Sequence, residues 1–159
     1  MSAQAQPLIW RIMRRMNQRM AGNYQRGFGP GRLVLLLTTT GRKSGQPRLT
    51  PLQYEEMDGA YYVGSARGAQ ADWFRNIQAN PGVQVQIKRG KNEFMRFSAT
   101  AEAVTDPGRV ADFLEARLKR HPLMIGFLMR LEGLPLKYSR ADLERFATGK
   151  ALAIIHPEP

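Results

Sequence analysis

Short β-rich segments separated by turn-forming residues run through this chain, and they restrict its fold more than any other feature. The segments are residues 33–40, 48–56, 60–65, 83–87, 95–103 and 151–155. A glycine- and proline-containing turn separates the first two, and an Asp-Gly turn precedes the third. Strands joined by such short turns pair antiparallel. The pattern therefore predicts five or six antiparallel strands in a closed or half-closed β-barrel.

Helix-capping signals predict three helices that decorate this barrel. Asp72 is expected to cap a short helix that crosses between two strands, and Asn80-Pro81 ends it. Asp106 is expected to cap a longer helix that stops before residue 121. Ser139, with an aspartate three residues later, resembles the capping box of a last short helix.

Two further helices have apolar faces with more than one interpretation. Residues 7–22 predict a basic amphipathic helix, either packed on the core with solvated arginines or docked on a membrane or an apolar ligand. Residues 123–131 predict a strongly apolar helix. The segment 123–134 is either ordinary core or an apolar lid over a pocket.

The order of these elements predicts one α+β domain over residues 1–159. A chain of this length buries a core without disulfide staples. We expect residues 1–26 to form the N-terminal helix and a linker, residues 31–105 the barrel core, and residues 106–159 the remaining helices and the closing strand.

Positive charge is concentrated in the first third of the chain. Nine basic residues and no acidic residue precede Glu55, whereas 15 basic and 13 acidic residues occur from Glu55 onward. This concentration of positive charge favours a polyanionic partner. Such a partner is nucleic acid, an anionic membrane, or a small molecule that bears phosphate or carboxylates. Nucleic acid is disfavoured because the basic helix offers Trp10 alone for base stacking.

The composition also excludes several kinds of site. The chain has no cysteine, and its two histidines, His121 and His156, lie 35 residues apart, so neither a disulfide nor a metal site is expected. The longest apolar stretches fall far short of the ~20 residues that cross a bilayer. Arginines interrupt the apolar residues of the N-terminus, and no signal peptide is predicted. These features predict a cytoplasmic protein.

Two glycine-containing loops carry cations suited to an anion. The turn at residues 41–47 presents two cations, a hydroxyl and backbone N–H groups, and Arg48 follows it. Such a turn can bind phosphate or carboxylates. The loop at residues 64–69 adds Arg67 among small residues, and a predicted helix N-terminus follows it.

These loops resemble the two motifs of the deazaflavin (F420)-dependent nitroreductase family. The first is TTTGRKSGQPRLTPL at residues 38–52, and the second is GSARGAQADWFRNIQANP at residues 64–81. They occur in the family's order and at its separation, and the resemblance covers roughly residues 30–105. It implies a split β-barrel of the FMN-binding type. It also implies hydride transfer from reduced coenzyme F420 to quinones, nitro compounds or activated alkenes.

The resemblance also implies which residues contact the cofactor. Coenzyme F420 carries a phosphate and an oligoglutamate tail, a polyanion that matches the cationic turn, and FMN is the disfavoured alternative. The implied contacts are Arg42, Lys43, Ser44, Arg48, Pro51, Ser65, Ala66, Arg67, Gly68, Trp73 and Asn76. Trp73 and Asn76 belong to the motif but equally suit packing of the crossover helix.

The proton that completes the reduction has several candidate sources. We single out Tyr138 and Ser65, with Tyr54 and water as alternatives. The family's reductases place tyrosines over the substrate in a C-terminal segment, but residues 121–136 contain no tyrosine. The alternative function is therefore a non-catalytic carrier of deazaflavin or lipid. As partners we expect a hydrophobic electron acceptor, peripheral membrane contact through the N-terminal helix, and a monomer or homodimer.

Overall fold

The structure, a computed structural model, describes residues 34–65 and 67–159. The helix predicted over residues 7–22 and the contact predicted for Ala66 lie outside the described residues. The strands are β1 (Val34–Thr40), β2 (Pro47–Gln53), β3 (Glu55–Met57), β4 (Ala60–Ser65), β5 (Gly82–Lys88), β6 (Phe94–Val104) and β7 (Ala151–Pro157). The helices are α1 (Asp72–Ala79), α2 (Pro107–Arg120), α3 (Met124–Leu131) and α4 (Arg140–Ala147), and a 3₁₀ turn (Gly68–Gln70) precedes α1.

All seven strands belong to one antiparallel sheet in the order β2-β1-β5-β6-β7-β4-β3. Strands β2 and β3 occupy opposite ends of this order, yet Tyr54 alone separates them along the chain. Because one residue spans only about 3.5 Å, the sheet must curl until its two ends meet. The result is the predicted α+β half-closed barrel.

The sheet has seven strands where five or six were expected, and the reason for the additional strand lies at Tyr54. Residues 48–56 were expected to form a single strand, but this segment changes partners partway along. Its first part (β2) pairs with β1 and its second part (β3) pairs with β4. The curl that closes the barrel therefore divides the segment into two strands.

The C-terminal strand β7 lies in the middle of the sheet. It pairs with β6 on one side and with β4 on the other, as in Ala101↔Ile155 and Val63↔Ala153. Its side chains alternate between two cores. Ala151, Ala153 and Ile155 face the core beneath α1, while Leu152 and Ile154 face the core formed by α2, α3 and α4. The barrel is thus completed by residues far beyond 105.

The helix signals are confirmed in two of three cases. The Asp106 side chain accepts a hydrogen bond from Arg109 N at 2.9 Å, and Ser139 and Asp142 form the reciprocal capping box. The cap predicted for Asp72 is wrong. Ala71 is the N-cap of α1, and Asp72 is its first residue, whose carboxylate instead pairs with Arg42 across 3.3 Å.

Helix α3 is core on one side only. Ile125 and Met129 are buried, whereas its opposite side is exposed, so neither the core nor the lid interpretation describes it fully. In β5, valine and isoleucine alternate with glutamine over residues 83–87, yet Gln86 is buried along with its apolar neighbours Val85 and Ile87. Among the described residues, no helix is long and apolar enough to cross a membrane, and no group of side chains is suited to a metal ion.

Candidate functional site

The cationic turn between β1 and β2, residues 41–47, is a closed hydrogen-bonded loop. Gly41 N donates to Gln46 O and Gly45 N donates to Gly41 O, both at 2.8 Å. A Cβ on residue 41 would lie 2.6 Å from Ser44 Oγ, and Gly45 has φ +68°. The positive φ of Gly45 therefore favours glycine, whereas a side chain at Gly41 would first require the Ser44 hydroxyl to move away.

Asn76 holds this turn against α1. Its Oδ1 accepts from Arg42 N at 3.2 Å and from Arg42 Nη1 at 3.1 Å, and its Nδ2 donates to Thr39 Oγ1 at 3.1 Å. The Asn76 side chain is buried, so each of these bonds is costly to leave unmade. Arg42 also pairs with Asp72 through Nη2. The sequence motif contained Asn76, but its bond to Thr39 and the Asp72 pairing were not anticipated.

The outward side of the turn carries the cations that remain available to a ligand. Lys43, Ser44 and Arg48 are all exposed. Arg48 Nη2 donates to Ser44 Oγ at 3.4 Å, and that same oxygen accepts from Gln46 N at 3.2 Å. Two cations and a hydroxyl thus share one surface, while Arg42 is committed largely to α1. A group of this kind suits carboxylates or phosphate.

The second of the two glycine-containing loops, which follows β4, is held in place by one buried hydroxyl and one glycine. Ser65 is buried, and its Oγ donates to Gly68 O at 2.7 Å. Gly68 has φ +58°, and a Cβ there would overlap the carbonyl oxygen of Gly149, in the turn between α4 and β7. Arg67, between them, is half-buried.

Helix α1 brings the two loops to one edge of the barrel. The second loop leads through the 3₁₀ turn into α1, where Ala71 N donates to Gly68 O. Asp72 and Asn76, one helical turn apart on α1, are the residues that hold Arg42. The buried rings of Trp73 and Phe74 pack edge to face, with 5.7 Å between their centroids, and both side chains belong to the core between α1 and the sheet. The structure therefore supports a packing role for Trp73.

A groove runs from the cationic turn along the outer face of β1 and β5. Near the turn it encloses about 340 Å³, lined by residues that include Gly45, Pro47 and Ser98. An adjoining hollow of about 270 Å³ shares Thr38 and Gln84 with it and is lined by Leu36, Leu49, Val85, Gln86 and Arg96. Pro51, a predicted cofactor contact, pairs with Leu36 beside this hollow. The alternating glutamines of β5 were the sequence signal for a polar outer face.

Tyr138 is not part of this assembly. It directly precedes the N-cap of α4, whereas the other end of α4 leads to Gly149 at the second loop. Eight helical residues extend about 12 Å, so this length of helix separates Tyr138 from the loop. Of the two proton donors singled out, Ser65 lies in the site with its proton donated to Gly68, and Tyr138 lies apart.

Comparison with known proteins gives both a family and a fold. The sequence profile described as F420H(2)-dependent quinone reductase matches residues 9–122. An F420H(2)-dependent quinone reductase of Mycobacterium tuberculosis is 37% identical over 73 residues, which are 44% of this chain and 46% of that protein. The chain thus matches about half the length of this curated relative.

Solved structures share the fold at low identity. A structure described as an F420 reductase is 20% identical, with a TM-score of 0.52 over 81% of this chain and 89% of that one. A haem-storage protein of Vibrio cholerae is 19% identical, with a TM-score of 0.55 over 80% of this chain and 83% of that one. Because the second protein is described by a different role, these likenesses establish the fold alone.

Proposed function

Because this chain belongs to the F420H(2)-dependent quinone reductase family, we propose that it reduces a quinone with a hydride taken from reduced coenzyme F420. The observation that carries the proposal is the cationic turn 41–47. Its hydrogen bonds to buried Asn76 hold it in place, and Lys43 and Arg48 remain exposed on its outer side. A preorganised pair of cations beside a groove is the kind of site that a polyanionic cofactor requires.

The donor set of the two loops fits the charged parts of the deazaflavin. Lys43, Arg48 and the remaining N–H groups of Arg42 would bind the carboxylates of the tail, with Ser44 as a further donor. Arg67 and the backbone at Gly68 would bind on the phosphate side. FMN bears one phosphate and no oligoglutamate tail, so it would leave the cationic turn without a partner.

The coenzyme, when bound, supplies the hydride, and this chain supplies binding, orientation and exclusion of water. The proton must come from a group that reaches the acceptor. The Ser65 hydroxyl would first have to leave the Gly68 carbonyl, and Tyr138 lies at the far end of α4. Tyr54 lies at the end of β2 opposite the cationic turn and packs against Tyr61, at the far end of β4 from Ser65, so water is the favoured source.

The acceptor class is the finer part of the proposal. Quinones come first because of the family, and nitro compounds and activated alkenes are the other acceptors to test. The expected location is cytoplasmic, with peripheral membrane contact through the helix predicted over residues 7–22. Trp73, Pro51 and Ala66 remain proposed cofactor contacts.

The test begins with titration of the purified protein with F420 and with FMN, followed by absorbance and fluorescence. We expect tighter binding of F420. Lys43→Ala and Arg48→Ala should each weaken F420 binding about 2- to 30-fold, as charge-assisted contacts worth roughly 0.5–2 kcal/mol do, and less so at high salt. Lys91→Ala is the matched control, because Lys91 is an exposed cation in the turn between β5 and β6, at the opposite end of β5.

Oxidation of F420H2 by a short naphthoquinone, a nitroaromatic and an activated enone then ranks the acceptors. Equal or tighter FMN binding would contradict the cofactor assignment. Tight F420 binding without turnover of any acceptor would favour the alternative function, a deazaflavin carrier.

A further inference from the structure

Asp72 places a carboxylate against one of the cations of the candidate site. It is the first residue of α1, one position after the N-cap Ala71. Its Oδ1 lies 3.3 Å from Arg42 Nη2. A carboxylate here opposes the binding of a polyanion, because it repels the ligand and occupies a donor that the ligand would otherwise use. Asp72 is therefore placed to set how tightly this site holds an anion.

Asn76 and Asp72 hold Arg42 with different firmness. Asn76 is only 4% exposed, and its Oδ1 accepts hydrogen bonds from both Arg42 N and Arg42 Nη1. The Asp72 side chain is 60% exposed, so water solvates its carboxylate when the contact with Arg42 opens. An exposed ion pair contributes little to stability, whereas buried polar groups are costly to leave unpaired. Asn76 therefore anchors Arg42, and Asp72 is the partner that can be exchanged.

We propose that Asp72 is an internal competitor that an anionic group of the ligand displaces from Arg42. The Asp72 carboxylate pairs with Nη2 until a ligand carboxylate or phosphate takes over this donor, while Asn76 keeps the guanidinium in place. The other anionic groups of the ligand bind Lys43 and Arg48, which are exposed on the same turn. When the ligand dissociates, Asp72 pairs with Arg42 again, so the cation does not lose its partner.

Such a competitor suits a coenzyme that is exchanged in every turnover. This step rests on the proposed function, in which each hydride transfer leaves oxidised F420 in the site and a new F420H2 must replace it. Differences in affinity between related complexes lie mostly in the dissociation rate. A residue that weakens binding of the anionic tail therefore speeds the exchange. The competition for Arg42 itself does not depend on which polyanion binds.

Asp72→Asn tests the competition because it keeps the shape of the side chain and removes its charge. We expect F420 to bind about 2- to 10-fold more tightly in a fluorescence titration, since one exposed ion pair and one like charge no longer oppose the ligand. Displacement followed by stopped-flow fluorescence should show slower dissociation. A side chain that only stabilised the fold would weaken binding when replaced, whereas a competitor strengthens it.

Two controls isolate the charge of Asp72. The uncharged fragment of F420 that ends at the ribityl group should bind equally to the wild type and to Asp72→Asn. Asp58→Asn removes the same charge from an exposed acid in the turn between β3 and β4, at the opposite end of β4 from Ser65. It should leave F420 binding unchanged.

Arg42→Gln gives a second measurement. The backbone N of residue 42 remains able to donate to Asn76, which anchors the turn. In this background Asp72→Asn should change F420 binding less than it does in the wild type, and an equal change would overturn the proposal. Unchanged or weaker F420 binding by folded Asp72→Asn would overturn it as well.

Calorimetric titration with pyrophosphate separates this proposal from the proposed function. Tighter pyrophosphate binding by Asp72→Asn, with no F420 binding by either protein, would count against the proposed function only. F420 binding that Asp72→Asn leaves unchanged would count against the competitor only. Binding of neither anion to either protein would overturn both.

Discussion

Replacing Gly68 by alanine tests the close approach between the second loop and the turn after α4. Gly68 and Gly149 meet there, and both have positive φ, +58° and +81°. They differ in the space available to a side chain. A Cβ at residue 68 would overlap the Gly149 carbonyl oxygen and lie 3.2 Å from the carbonyl carbon. At residue 149, no atom of the described residues lies within 4 Å of an added Cβ.

The two substitutions therefore separate backbone strain from steric overlap. An alanine in the left-handed region costs roughly 1–2 kcal/mol, and both variants bear this cost. Overpacking against backbone that must shift adds roughly 1–3 kcal/mol at residue 68 only. We expect Gly68→Ala to lower the free energy of unfolding by about 2–5 kcal/mol, and Gly149→Ala by about 1–2 kcal/mol.

Urea unfolding followed by far-ultraviolet circular dichroism measures this difference. For a chain of this size, each kcal/mol also lowers Tm by about 2–4 °C, which gives a thermal check. If the second loop holds the deazaflavin, Gly68→Ala should also weaken F420 binding more than Gly149→Ala does. Equal destabilisation by the two variants would refute the reasoning, because the loop would then absorb the overlap without cost.

Three other substitutions test further contacts. Asn76→Ala should cost about 1–3 kcal/mol in urea unfolding because it leaves buried polar partners unpaired, whereas exposed Gln78→Ala on the same helix should change stability little. Glu55→Gln should lower the free energy of unfolding by about 1–3 kcal/mol, because this carboxylate is only 12% exposed and faces Arg117, Arg120 and His121. The control Glu115→Gln breaks an exposed pair with Lys119 and should lower it by less than about 1 kcal/mol. Equal losses of stability in the two variants would contradict the distinction between buried and exposed pairs. Hydrogen bonds from the Ser139 backbone and side chain lower the pKa of Asp142, so its stabilisation is present above the usual aspartate range and is lost as the pH falls through the lowered value. Asp142→Asn should therefore be less stable than the wild type at pH 7, by a margin that shrinks as the pH falls below the usual aspartate range. A margin that does not change with pH would argue against a charged cap.

Local chemistry in the sequence determined most elements of this protein. Turn glycines, alternating strands and the caps at Asp106 and Ser139 depend on neighbouring residues, so their positions were predictable from short segments. The two loop motifs also identified the edge of the barrel where the candidate site lies. Their spacing depends on backbone requirements, such as the positive φ of Gly68, that one residue type satisfies best.

Tertiary structure alone decided the features that depend on residues distant in the chain. The division of β2 from β3 at Tyr54 follows from closure of the sheet, and the central place of β7 follows from pairing across nearly 100 residues. The sequence motif around Arg42 predicts a ligand contact. In the structure, however, Asn76 and Asp72, which are 34 and 30 residues away along the chain, accept hydrogen bonds from the Arg42 guanidinium. Apart from Arg130, helix α3 consists of glycine and large apolar residues, and the packing of Ile125 and Met129 against the other helices decided which apolar face remained in water. In each case the arrangement is stabilised by burial and hydrogen bonding between segments that are distant in the sequence, and no pattern within either segment predicts that contact.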